Sequence, residues 1–66
     1  MAIGSRYWAE SFIITTSGKK MYLSNHIDDI KEQMRKKKAT IEVTTSNLYS
    51  KTFTVLKRNI ESYGKC

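Results

Sequence analysis

One segment in the middle of the chain, residues 25–38, constrains what can lie on either side of it. Ile27, Ile30 and Met34 recur at i, i+3 and i+7, which lines them up on one face of a helix. Asn25 can accept from a first-turn amide, and Asp28 follows three residues later as in a capping box with Asp in place of Glu. Asp28 and Asp29 fall in the first turn, and Arg35, Lys36, Lys37 and Lys38 in the last, so both ends complement the helix dipole. Glu32 and Lys36 can pair at i, i+4. The spacing predicts about three turns, from His26 to Lys37 or Lys38, with a narrow apolar stripe that fits one face of a sheet.

The flanks supply that sheet. Seven Thr, seven Ile and two Val favour extended structure. Tyr7–Thr16 reads as a first strand, with Trp8, Phe12 and Ile14 on one parity and Tyr7, Ala9 and Ile13 on the other; Trp8 and Phe12 are expected to pack in the core or against another subunit. Ser17-Gly18-Lys19 is a hairpin signal, and Lys20–Leu23 the return strand. After the helix, Ile41 and Val43 alternate with Thr40, Glu42 and Thr44, the pattern of a half-buried strand. Ser46-Asn47 is a turn candidate. Lys51–Leu56 is a fourth strand with Phe53 and Val55 inward, and Ile60 and Tyr63 close the core from a helical turn or a fifth short strand. The expected fold is α+β, a single domain over 1–66 with 1–5 and 64–66 frayed. It is an antiparallel sheet of about four strands in the order ββαββ, with one helix on one face. The other face would hold some of Tyr7, Tyr22 and Tyr49.

Size limits what this fold can be. A chain of 66 residues buries only about 60% of the surface it exposes when unfolded, so its stability needs a supplement. A single Cys forms no internal disulfide, and His26 and Cys66, forty residues apart, do not make a metal site. Assembly with further copies is the expected supplement. No apolar run reaches the roughly 18–20 residues that span a bilayer, and the helix stripe lacks the aromatic anchors of a membrane-surface helix. No basic segment followed by an apolar core opens the chain, so a cytoplasmic location is expected. The lysine-rich, proline-free composition resembles that of small accessory proteins of low-GC bacteria and their phages.

Catalytic patterns are lacking. No Ser sits in a glycine-flanked elbow, and Asp28 and Asp29 point about 100° apart on a helix. Ser17-Gly18-Lys19-Lys20 has neither the spacing nor the subsequent helix of a phosphate loop. The expectation is a non-enzyme without a cofactor. Its net charge of +6 favours an anionic partner. The strongest feature is the run Arg35-Lys36-Lys37-Lys38, joined by Lys19 and Lys20 of the hairpin, as a phosphate-contacting cluster for nucleic acid. About four phosphate contacts would give a log K against log salt slope of roughly −3 to −4. Aromatic residues adjoin basic ones at Arg6-Tyr7-Trp8, Lys20-Met21-Tyr22 and Tyr49-Ser50-Lys51, a weak stacking signal. Two alternatives stand beside this: an inhibitor or regulator that binds an acidic protein through an open sheet face or edge strand, and an oligomer that holds an anionic nucleotide between subunits.

Overall fold

The computed structural model describes residues 2–46 and 51–66. Along them run β1 (Ala2–Ile3), β2 (Ser11–Thr15), β3 (Lys20–Leu23), α1 (Ile27–Arg35), β4 (Thr40–Thr44), β5 (Thr52–Leu56) and β6 (Ile60–Lys65). Single 3-10 turns sit at Arg6–Trp8 and Lys57–Asn59. The class is α+β, a small domain. The strands form two sheets instead of one, in the orders β1-β3-β2-β6 and β4-β5. The β1–β3 pair is parallel and the other pairs are antiparallel.

β3 joins the two sheets. Its first half pairs with β1 on one edge. Its second half meets the segment after β4, through the Leu23–Thr45 bridge and the bonds Ser24 N to Thr44 O (2.9 Å) and Ser46 N to Tyr22 O (3.0 Å). Ser46 is buried, and its hydroxyl donates to the Ser5 carbonyl at 2.6 Å, which holds the chain entering the first 3-10 turn.

Alternation places Ile13, Met21, Leu23, Ile41 and Val43 inside, where they meet Ile30 of the helix. Ile27, Met34, Val55 and Ile60 pack around them. Each fully buried side chain of this size contributes roughly 1.5–3 kcal/mol. No helix among the described residues is long and apolar enough to cross a membrane.

Four details depart from expectation. The first long strand starts at Ser11, not Tyr7. β1 and β2 flank β3 on opposite edges, so residues 4–10 must pass around its end and cannot stay extended. The Ser5 hydroxyl accepts from Tyr7 N (3.3 Å) and starts the 3-10 turn, leaving Trp8 61% exposed rather than packed.

The helix ends at Arg35, and Lys36 already has extended angles (φ −69°, ψ 153°), so Lys36, Lys37 and Lys38 lie beyond its last turn. Its N-cap is His26, whose Nδ1 accepts from Asp28 N at 3.2 Å. Asn25 is thereby free to bind elsewhere: its Nδ2 donates to Asp29 Oδ2 (2.8 Å) and its Oδ1 accepts from Thr44 N (2.7 Å). Finally, Phe53 faces Val43 as the inward parity requires but is 38% exposed, because β5 has no neighbour on its far side among the described residues.

The register at Leu48 and Tyr49, most of the Ser46-Asn47 turn and the Tyr49-Ser50 part of the third aromatic–basic cluster lie outside the described residues.

Candidate anion-binding end and adjoining groove

Strand directions decide where the cations go. β2 ends, β3 begins, α1 ends, β4 begins, β5 ends and β6 begins at the same end of the molecule. Hydrogen bonds tie these segments together there. Thr16 N donates to Asn59 O (2.9 Å), Lys57 N to Ala39 O (2.8 Å) and Lys57 Nζ to the Met34 carbonyl (3.2 Å). Lys57 Nζ also donates to the Lys36 carbonyl. This end therefore carries Lys19, Lys20, Arg35, Lys36, Lys37, Lys38, Lys57 and Arg58, eight of the twelve cationic residues. The carboxylates of Glu10, Asp28 and Asp29 sit at the opposite end together with Arg6, Lys51 and Lys65, while Glu32, Glu61 and Glu42, which shares a pocket with Lys36 and Lys38, accompany the eight cations.

The cations are not equivalent. Arg35 pairs with Glu32 one turn back, in place of the expected Glu32–Lys36 pair. Lys57 is half-buried and occupied in capping α1, where its charge suits the negative end of the helix dipole. Lys20 is drawn onto the outer sheet face, its ammonium 4.6 Å from the Phe12 ring centroid and 5.1 Å from that of Tyr22. Its neighbour Lys19 points the other way and lines a groove. Lys19, Lys36, Lys37, Lys38 and Arg58 are exposed and make no ion pair with a described residue. Of the six residues picked from sequence, four are thus free cations at one end, while Arg35 and Lys20 have internal partners. Sequence reading passed over Lys57 and Arg58. β4 and β5 form a hairpin, so the residues after β5 must lie beside those before β4, and that signal would have placed them next to Lys38.

The groove measures about 590 Å³ and runs between β5 and the β2–β3 turn. Met21 forms its floor, Phe53, Val55 and Leu56 one wall, and Thr16, Lys19 and Asn59 the polar side. It carries no carboxylate. Elsewhere, Tyr7 and Trp8 form an exposed edge-to-face pair with centroids 5.5 Å apart, in one 3-10 turn with Arg6 at the opposite end of the molecule from the groove. Among the described residues no three His, Cys, Asp or Glu side chains are grouped to hold a metal ion.

The chain matches no protein family, no curated protein and no solved structure.

Proposed function

We propose that the protein is a small non-enzymatic binding protein that contacts the phosphates of nucleic acid through its basic end. The observation that carries this reading is the convergence of five free, exposed cations from three separate segments: Lys19 of the hairpin, Lys36, Lys37 and Lys38 after the helix, and Arg58 between β5 and β6. Four of them crowd their own charge, in the run 36–38 and beside Lys57, at an electrostatic cost that folding does not require. Phosphates spaced along a strand relieve that cost by replacing condensed counterions, which gives affinity without any base contact. The excess of cations over carboxylates at this end gives it a positive field that draws a polyanion.

The test is a fluorescence-anisotropy titration of labelled DNA and RNA oligonucleotides at several salt concentrations. Contacts from about four of these cations give a log K against log salt slope of roughly −3 to −4. Changing Lys36, Lys37 and Lys38 together to Glu should abolish binding while the melting temperature stays within a few degrees, since all three are solvent-exposed. Failure of the unaltered protein to bind either nucleic acid at low salt removes the proposal.

A further inference from the structure

We infer that the groove along β5 is the seat of an unstacked base, so that the ligand is a single-stranded nucleic acid rather than a duplex; this rests on the nucleic-acid reading of the basic end. The groove opens directly onto that end. Lys19 lines it, and Leu56 and Asn59, which also line it, bracket Lys57 and Arg58 in sequence. A strand whose phosphates lie on Lys19 and Arg58 therefore brings its bases to the groove mouth. Inside, the chemistry is that of a base site. Phe53, Val55 and Leu56 offer an apolar wall, and Phe53 and Leu56 keep 38% and 36% of their surface exposed in the free protein. A π-face stacks on such a wall. Thr16, Asn59 and Lys19 supply polar groups for a base edge.

Four consecutive residues of β5, Phe53 to Leu56, line the groove, so it tracks the strand edge that β4 does not use. Among the described residues no strand pairs with that edge, so its backbone donors and acceptors can meet a ligand. Its volume, about 590 Å³, lies within the range of small-molecule sites. A duplex keeps its base faces stacked inside and would reach only the cations; a single strand engages both features.

The experiment compares a labelled short oligothymidylate with a duplex of the same length, at one salt concentration, by anisotropy. The single strand is expected to bind more tightly. Phe53→Leu keeps an apolar side chain against Val43 but removes the ring, and should weaken the single strand about five- to a hundredfold while leaving the duplex unchanged. Equal or tighter duplex binding, or no effect of Phe53→Leu on the single strand, overturns the base site and leaves the phosphate reading intact. Absence of binding to both probes overturns the two together. Thymidine monophosphate that displaces the strand at equal concentration assigns the groove to a free nucleotide and overturns the strand. If sedimentation shows a dimer that Phe53→Leu dissociates, the groove belongs to a second copy of the chain and the base site falls.

Should Phe53→Leu fail to fold, the double change Trp8→Phe with Phe53→Trp puts the chain's single indole in the groove. Quenching of its emission by the oligothymidylate supports the proposal, and an unchanged spectrum overturns it.

Discussion

The carboxamide of Gln33 hydrogen-bonds both backbone groups of Glu42: Nε2 donates to the Glu42 carbonyl and the Glu42 N–H donates to Oε1, each at 2.8 Å. A helix side chain thus takes the place of a neighbouring strand on the open edge of β4, and Asn25 does the same for Thr44 N. Together they close one edge of the β4–β5 sheet, which among the described residues leaves β5 as its open side. Gln33→Leu removes both bonds at similar volume and is expected to cost about 1–2 kcal/mol. In a domain of this size that is a fall of about 4–16 °C in melting temperature. Gln33→Glu keeps the acceptor but sets a carboxylate against the Glu42 carbonyl and against Asp29, whose Oδ2 now accepts from Gln33 at 3.0 Å. The repulsion raises the new carboxyl's pKa in the folded state. The neutral carboxyl present at about pH 3 can both donate to the Glu42 carbonyl and accept from the Glu42 N–H, so the variant should approach the unaltered protein there and fall to or below the Leu variant by about pH 7. Thermal melts across that range decide the matter; equal stability at both pH values would show that the clamp carries no weight.

Lys57 ends the helix from outside it. Its ammonium meets the Met34 and Lys36 carbonyls, which have no partner within α1. Lys57→Met retains most of the stem packing and loses the charge and the donor, so a loss of about 1–2 kcal/mol is expected, read from urea unfolding. Lys57→Arg should recover part of it. The same change ought to loosen the path of Lys36–Lys38, so that the variant binds oligonucleotide more weakly than the removal of one charge predicts. A purely additive loss would mean that Lys57 does not position its neighbours.

The parts of this fold that can be read locally were legible. Ile27, Ile30 and Met34 marked the helix, and the Ile41–Val43 alternation marked β4, because each pattern is complete within a few residues. The pairing of β2 with β6 was not, because it joins residues about fifty apart and only a three-dimensional register reveals it. Gly64 illustrates the difficulty. In sequence it is a flexible residue near the end of the chain, whereas in the sheet it lies opposite Phe12, and a Cβ there would come within 3.1 Å of the ring. Trp8 was misread because the strand period extends smoothly back to Tyr7, and nothing local says that the chain must turn around the end of β3. The basic end was legible in part. The run 35–38 is visible as a run, but Arg58 joins it only through the β4–β5 hairpin, and the nearer ring partner of Lys20, Phe12, lies on another strand.

Gly4 and Gly18 both have left-handed backbone, φ 84° and 85°, but stand in different surroundings. A Cβ on Gly4 would lie 2.5 Å from the Tyr22 carbonyl oxygen, while one on Gly18 meets nothing within 4 Å. Gly18→Ala should cost about 1–2 kcal/mol, the penalty of that conformation alone, and Gly18→Asn less. Gly4→Ala and Gly4→Asn should both cost more than either Gly18 change, because the carbonyl must move and the β1–β3 pairing with it. Urea midpoints for the four variants test the order. If Gly4→Ala proves as mild as Gly18→Ala, the close approach at Tyr22 does not hold the N-terminal strand.

Lys19 and Lys20 are adjacent in sequence and opposed in direction. Lys19 lines the groove at the basic end, and Lys20 lies across Phe12 and Tyr22 on the other face of the sheet. Lys19→Gln should remove one phosphate contact, lowering affinity and making the salt slope shallower by about 0.7–0.9. Lys20→Gln should leave the slope within error and instead cost about 0.5–1 kcal/mol of stability through the lost cation–π contact. The two variants separate the reading of a basic run from that of a basic surface. If Lys20→Gln flattened the slope as much as Lys19→Gln, the ligand would be lying on the outer sheet face, and the groove beside β5 would lose its claim to the bases.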